Sequence, residues 1–345
     1  MPNDILTRAI DELATGSHLT ADHASAVLDE VMEGRAGEVQ TGAFLIALRA
    51  KGETVAELVG LARTMRRLSS SVETSRRDLV DTAGTGGGPS TFNISTAAAL
   101  VAAAAGAGVA KHGNRAVSSA SGSADVLEAL GFSLEQPVER IEQSIDELGF
   151  GFMFAPSHHP AMRHAAPVRR ELAARTVFNV LGPLTNPAGA RAQVIGVYTP
   201  SLVRTIAEVL AQLGARRAYV VHGAHGIDEL SPAGPNDVCE VVDGEVHERV
   251  IDPLELGIQR CDPAELRGGS PAENAQAIRD VFAGADGGRR DAILLNAAGA
   301  IAAAGRAEDL QEGLELAREA IDTGTAAARL DELAQFSKEQ GSNAV

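Results

Sequence analysis

Residues 81–130 read DTAGTGGGPSTFNISTAAALVAAAAGAGVAKHGNRAVSSASGSADVLEAL, and this stretch predicts the fold. It joins the end of a short apolar strand to a glycine cluster, an alanine-rich helix, a second strand and a second helix. Strands that alternate with helices are typical of βαβ units and of a mainly parallel sheet. In open sheets of this kind, ligands bind at the carboxyl ends of the strands.

The first polar feature is the glycine cluster Gly84 to Pro89, which follows the predicted strand. Glycine permits positive φ and leaves no Cβ between the backbone and a ligand, and successive N–H groups in such a turn form an anion-binding nest. Asn93-Ile94-Ser95-Thr96 then precedes a helix expected over Ala97–Ala105, where Asn, Ser and Thr are typical caps. The segment predicts a phosphate site at a helix start, with a plain tight turn as the alternative.

The second polar feature is a basic cluster after a strand expected at 108–111. Lys111 and Arg115 supply cationic donors for phosphate, and His112 to Arg115 are expected in a loop. Four serines lead into a helix expected over Ala124–Leu130: Ser118, Ser119, Ser121 and Ser123. The alternative is a solvated basic loop with helix-capping serines, but the two features together favour a ligand with more than one phosphate.

These motifs, with others further along the chain, resemble the anthranilate phosphoribosyltransferases of the nucleoside phosphorylase-like phosphoribosyltransferase group. The other matching motifs are Ser121 to Asp125, Ala155-Pro156-Ser157-His158-His159-Pro160, Pro167-Val168-Arg169-Arg170, Asn179 to Pro187, and His222-Gly223 through Asp228-Glu229. They occur in the family's order over most of the 345 residues, which is far more specific than any single motif. Gly88-Pro89 departs from the family, which usually has an aspartate there in a loop one residue longer.

The resemblance implies transfer of a phosphoribosyl group from 5-phosphoribosyl 1-pyrophosphate (PRPP) to anthranilate, with release of pyrophosphate, in tryptophan biosynthesis. It implies that anthranilate contacts Gly84, Asn114, Arg169 and His159, and that Ser95, Asp228 and Glu229 bind Mg²⁺. The implied donor-binding residues are Gly84, Gly87, Gly88, Thr91, Asn93, Ile94, Ser95, Thr96, Lys111, His112, Gly113, Asn114, Arg115, Ala116, Val117, Ser118, Ser119 and Ser123. No acid or base catalyst is assigned, because an aromatic amine is nucleophilic when neutral.

Other interpretations remain at this stage. An isolated Asp228-Glu229 pair is also typical of a solvated acidic turn. A pyrimidine nucleoside phosphorylase shares the fold, and a catalytically inactive relative could bind nucleic acid or act as a partner subunit. The formal net charge of −16 argues against binding to nucleic acid or to an acidic membrane, since both require a basic face.

Composition and organisation predict a cytosolic α/β protein. Cys239 and Cys261 are too few for a disulfide scaffold, and neither a signal peptide nor a membrane-spanning stretch is expected. We expect a small all-helical domain at 1–72, joined by about 175–190, and a larger α/β domain with a mainly parallel central sheet at 73–345. The helical domain is expected to form a homodimer contact, as is common in the family.

The expected strands are 79–83, 108–111, 151–154, 193–197 and 217–222, and a hairpin is expected over 238–250 around Asp243-Gly244. Arg175 to Pro187 is expected to be partly helical, and the chain from Pro271 onward to be helical again.

Overall fold

The computed structural model describes residues 2–116 and 120–339. Four helices open the chain: α1 (Asp4–Ala14), α2 (Ala21–Met32), α3 (Glu38–Lys51) and α4 (Val55–Arg67). Their starts follow from the local sequence. Thr20 caps α2 by accepting from the His23 N–H, and Thr54 with Glu57 forms a reciprocal capping box on α4.

A seven-stranded sheet follows, in the order β3-β2-β1-β4-β5-β6-β7. Its strands are β1 (Leu79–Gly84), β2 (Gly108–Gly113), β3 (Phe150–Phe154), β4 (Ala192–Gly196), β5 (Arg217–His222), β6 (Asn236–Val242) and β7 (Glu245–Ile251). The first five strands pair in parallel, and β6 and β7 are antiparallel. Asp243 and Gly244, which join β6 to β7, both have positive φ, as a tight two-residue hairpin turn requires.

Eleven further α-helices in the described residues surround the sheet. They are α5 (Ile94–Ala104), α6 (Ser123–Leu130), α7 (Val138–Leu148), α8 (Ala155–His158), α9 (Ala166–Leu172), α10 (Phe178–Leu181), α11 (Ser201–Gln212), α12 (Pro271–Phe282), α13 (Gly288–Ala304), α14 (Leu310–Asp322) and α15 (Thr325–Lys338). The predicted fold class, a helical N-terminal part with a larger α/β part, is confirmed. The domain boundaries stay a prediction.

The sheet separates two large apolar cores, because strand side chains point alternately to opposite faces. Along β5, Tyr219 and Val221 pack against the core that contains α5 and α13, whereas Ala218 and Val220 pack against the core that contains α11 and the N-terminal helices. Alanine lets α5 and α13 approach closely, and both helices are buried over most of their surface. The chain thus fills its interior without any tryptophan.

Two local predictions require correction. Helix α5 begins at Ile94 rather than Ala97, and the cap position is Asn93, whose side chain makes no capping hydrogen bond. Strand β2 continues through Gly113, so His112 and Gly113 lie in a strand and not in the expected loop. The segment 175–187 is partly helical, as expected, with the short helix α10 followed by one 3₁₀ turn over Gly182–Leu184.

Helices α9 and α10 pack against the N-terminal helices α3 and α4, so a later part of the chain joins the helical layer. The parallel strands β1, β2, β4 and β5 have their carboxyl ends at the same end of the sheet, which faces this helical layer. No helix in the described part of the chain is long and apolar enough to cross a membrane.

Candidate active site

The glycine turn after β1 is fixed by backbone contacts from neighbouring strands. The Thr85 N–H donates to the Gly196 carbonyl at 2.9 Å, and the Gly86 N–H donates to Asp228 Oδ2 at 2.8 Å. Gly86 and Gly87 have φ of 66° and 94°, a region that favours glycine. A Cβ on Gly84 would collide with the Asp228 carboxylate, and one on Gly88 with the Gly226 carbonyl. The turn therefore packs directly against the loop that follows β5.

The start of α5 lies beside this turn. Asn93 adopts a left-handed conformation, donates to the Ser121 carbonyl at 3.0 Å and accepts from Asn274 at 2.8 Å. Its side chain thus ties three segments together instead of capping the helix. Ile94 is fully buried, and the hydroxyl of Thr96 is buried without a hydrogen-bond partner among the described residues.

The carboxylates of partly exposed Asp228 and buried Glu229 lie beside the start of α5. Glu229 accepts from the Ser95 N–H at 2.9 Å and from the Thr91 hydroxyl at 2.8 Å. Asn296 of α13 holds the loop by bonding both the N–H and the carbonyl of Leu230. Burial raises the pKa of Asp228, and burial together with the charge of Asp228 raises the pKa of Glu229 to about 8.

This arrangement fits a bound cation. The two adjacent carboxylates repel each other, and among the described side chains no Lys or Arg forms an ion pair with either. Ser95, Asp228 and Glu229 line one small cavity, so the three predicted Mg²⁺ ligands meet there. Hard oxygen donors of this kind suit Mg²⁺, which usually completes its coordination with water and substrate phosphates.

Lys111 lies next to this pair at a buried position in β2. Only 1% of its surface is exposed, and its ammonium group donates to the Thr82 carbonyl at 2.5 Å and approaches Ser95 Oγ at 3.4 Å. Burial lowers its pKa to about 8, an effect that the charges of Asp81 and Glu229 oppose. The ammonium group of Lys111 therefore places a positive charge beside Ser95 at the start of α5.

Asp81 is a site residue that the sequence analysis did not assign. It is fully buried in β1, where it accepts from the His112 N–H at 3.1 Å and from Asn186 at 2.7 Å. Burial raises its pKa to about 6, against the effect of Lys111. An acidic residue within an apolar strand that leads into a glycine turn was the available signal, because buried charges need a partner.

His112 and His159 form a ring pair with centroids 5.0 Å apart. Each has a buried Nε2 without a hydrogen-bond partner among the described residues. Burial is the main cause that lowers the pKa of His112 to about 3 and that of His159 to about 4. Both imidazoles are therefore neutral near pH 7.

Arg169 lies on α9, as predicted, with its guanidinium 5.1 Å from the centre of the Phe178 ring. Burial lowers its pKa, and among the described residues no carboxylate pairs with it. Arg170 is exposed, in agreement with its predicted place on the helix surface. A partly buried guanidinium without a carboxylate is suited to a ligand carboxylate.

The remaining basic segment faces outward. Arg115 pairs with Asp125 and Glu128 of α6, so its charge is already balanced. The Asn114 carbonyl accepts from the Ser123 hydroxyl and from the Ala124 N–H, and the Ala116 N–H donates to Asp125 at 2.9 Å. Gly113 has no room for a Cβ, because Ser123 and Phe152 lie against it. Val117, Ser118 and Ser119 lie outside the described residues.

Known families match nearly the whole chain. Residues 76–327 match the glycosyl transferase family, a/b domain, and residues 7–69 match the glycosyl transferase family, helical bundle domain. The anthranilate phosphoribosyltransferase of Pelotomaculum thermopropionicum is 50% identical over 333 residues, which cover 96% of each chain. That of Anaeromyxobacter sp. strain K is 52% identical over 330 residues, covering 95% of this chain and 98% of the relative.

Solved structures give the same result. Anthranilate phosphoribosyltransferase (TrpD) from Thermus thermophilus superimposes with a TM-score of 0.91 at 46% identity, covering 96% of this chain and 99% of that one. The enzyme from Saccharomyces cerevisiae in complex with PRPP and Mg gives a TM-score of 0.87 at 27% identity, covering 96% and 97%.

Proposed function

This chain belongs to the anthranilate phosphoribosyltransferases, and we propose that the cleft at the carboxyl ends of its strands holds PRPP and anthranilate side by side. The enzyme transfers the phosphoribosyl group of PRPP to anthranilate in tryptophan biosynthesis, giving N-(5-phosphoribosyl)anthranilate and pyrophosphate. The observation that carries the proposed site is the carboxylate pair between the glycine turn and the start of α5.

The donor end consists of the glycine turn, the start of α5 and the carboxylate pair. Backbone N–H groups and a helix start favour phosphate. Ser95, Asp228 and Glu229 would hold Mg²⁺, a proposal that the solved yeast relative with PRPP and Mg supports. When bound, the ion supplies stabilisation of the charge that develops on departing pyrophosphate. Lys111 contributes a positive charge beside Thr82 at the end of β1. Asp81 accepts from the His112 N–H and so holds β2 in register with β1.

The acceptor end consists of Arg169 and the pair His112–His159, with Asn114 and Gly84 as further proposed contacts. Arg169 would fork onto the anthranilate carboxylate, because it has no carboxylate partner of its own among the described residues. We place the two neutral imidazoles beside the aromatic ring of the acceptor, where they add no charge. Since the aromatic amine is nucleophilic when neutral, positioning supplies much of the catalysis.

The test is the loss of anthranilate fluorescence with time in the presence of PRPP and Mg²⁺. The proposal expects the loss to require both, so that EDTA or omission of PRPP abolishes it. Release of thymine from thymidine and phosphate, with no loss of anthranilate fluorescence, would instead establish the phosphorylase alternative. Retention of labelled DNA on a filter by an inactive protein would favour the nucleic-acid-binding alternative.

The metal assignment has its own test. Glu229→Gln keeps the size of the side chain and removes its charge, so we expect kcat/KM to fall roughly 100-fold and half-saturation to need more Mg²⁺. Glu240→Gln is the matched control, since Glu240 is a buried carboxylate on β6 that pairs with Arg217 and Arg249 away from the cleft. An unchanged Mg²⁺ requirement in Glu229→Gln would remove Glu229 from the metal site.

We also propose a homodimer and a cytosolic location. Val39 and Ile46 leave apolar surface exposed on one side of α3, which suits a contact between copies through the helical part. Both cysteines are free thiols, which suits a reducing compartment.

A further inference from the structure

Arg175 links the helical layer to the glycine turn through three contacts. Its Nη2 donates to the Gly87 carbonyl at 2.9 Å, and its guanidinium lies 4.6 Å from the centre of the Tyr198 ring. Its own carbonyl accepts from Arg49 Nη1 of α3 at 2.7 Å. A continuous path therefore runs from α3 through Arg175 to the turn.

The turn needs such support at Gly87. Gly86 and Gly87 both have positive φ, and glycine loses more conformational freedom on ordering than any other residue. Upstream, Thr85 and Gly86 are held by the strand β4 and by Asp228. Downstream, the next fixed backbone group is the Ser90 carbonyl, which accepts from the Gly268 N–H. Arg175 is the contact that fixes the middle of this span among the described residues.

The contact also orients a proposed phosphate donor. In a planar trans peptide, the carbonyl and the following N–H point in opposite directions. The bond from Arg175 to the Gly87 carbonyl therefore fixes the direction of the Gly88 N–H, which belongs to the proposed donor end. Arg175 is exposed and makes no ion pair within the described ranges, and Nη2 is the guanidinium atom that donates to the turn.

We propose that Arg175 is a positioning residue that holds the glycine turn in its PRPP-binding conformation and couples it to α3. This inference rests on the proposed donor site. A role confined to folding would change the stability of the protein and affect both substrates alike. A positioning role acts on PRPP alone.

The experiment measures both Michaelis constants, kcat and PRPP binding by calorimetry for Arg175→Ala. Loss of a charge-assisted hydrogen bond is expected to raise KM and Kd for PRPP roughly tenfold, with KM for anthranilate and the melting temperature almost unchanged. Arg175→Lys, which keeps the charge, should recover part of the affinity. Arg191→Ala is the matched control. Arg191 is also exposed and donates to a backbone carbonyl, that of Gly214, but it lies at the amino ends of β4 and β5, away from the proposed site.

A double-mutant cycle tests the coupling to α3. Arg49→Ala should also weaken PRPP binding, but it should add little in the Arg175→Ala background, since both act through one path. Wild-type PRPP affinity in Arg175→Ala, equal rises in both Michaelis constants, or full additivity with Arg49→Ala would overturn the inference while the proposed function stands. A wild-type protein that does not bind PRPP would overturn the proposed function and this inference with it.

Discussion

At the scale of single residues, the cleft depends on ionisable groups that are withdrawn from water. Burial raises the pKa of Asp81 and of Glu229 and lowers the pKa of Lys111. The charge of Lys111 and the charges of the two carboxylates oppose these shifts, because the groups lie close together. Burial of one of these charges without the others would be energetically unfavourable, and the opposite charge nearby offsets that cost. These three groups at the proposed donor end therefore depend on one another, whereas the two histidines of the proposed acceptor end are neutral.

The histidine pair predicts a pH dependence of stability. His112 and His159 have lowered pKa values in the folded protein, so the unfolded chain binds protons first as the pH falls below about 6.5. The stability due to the neutral rings is complete above that pH and is lost toward pH 4. We expect the free energy of unfolding to fall by at most about 1.4 kcal/mol per pH unit for each histidine.

Urea unfolding at several pH values between 7 and 4 measures this slope. His159→Gln should give a shallower slope than the wild type, whereas replacement of the exposed His247 on β7 serves as the control for removing a histidine. Identical slopes for His159→Gln and the wild type would show that His159 is not held neutral by the fold.

At the scale of secondary-structure elements, the ends of strands position the site. Gly196 ends β4 directly against the loop that carries Asp228, and a Cβ there would collide with the Asp228 carbonyl. Gly196→Ala should therefore displace the carboxylate pair, destabilise the protein by about 1–3 kcal/mol and lower kcat/KM by roughly 100-fold.

Gly182→Ala provides the comparison, since Gly182 has helical φ and ψ and nothing lies within 4 Å of its Cβ position. It should be neutral or slightly stabilising. Thermal unfolding and steady-state rates of the two variants give the result. Wild-type behaviour of Gly196→Ala would mean that the loop tolerates displacement.

Local signals predicted the elements well where they agree with packing. Asp243-Gly244 indicated the hairpin of β6 and β7, because a tight turn depends on neighbouring residues only. The start of α5 and the extension of β2 to Gly113 were missed. Both depend on distant contacts, the bonds of Asn93 with Ser121 and Asn274 and the pairing of Gly113 with Phe154.

In the candidate site too, features set by local sequence were predicted and features set by distant contacts were missed. The glycine turn and Asp228-Glu229 were identified from motifs, but the burial of Lys111 was not, since it depends on Thr82 and Asp81 in a neighbouring strand. Arg175 gave no sequence signal at all, because its contact with Gly87 spans 88 positions of the chain.

At the scale of the whole molecule, exposed apolar side chains lie on the helical part and on or near the edge strand β7. Val39 is 86% exposed and Ile46, seven positions later on the same side of α3, is 39% exposed. Val39→Asp should therefore convert the proposed homodimer into a folded monomer, because it places a charge in an apolar contact.

Sedimentation velocity measures this change. Val250→Asp on the edge strand β7 is the control, since Val250 is also exposed, at 64%, but lies away from the helical part. A wild-type monomer, or a Val39→Asp protein that remains a dimer, would place the contact elsewhere or remove it.

We propose that one cleft has two chemically different ends: a carboxylate and N–H end for PRPP with Mg²⁺, and an Arg169 end for anthranilate. Initial rates of Arg169→Ala over a matrix of both substrate concentrations test this division most directly, with exposed Arg170→Ala as the control. We predict that KM for anthranilate rises roughly tenfold or more while KM for PRPP stays within about twofold, since only one guanidinium–carboxylate pair is lost. Equal rises in the two constants would contradict it.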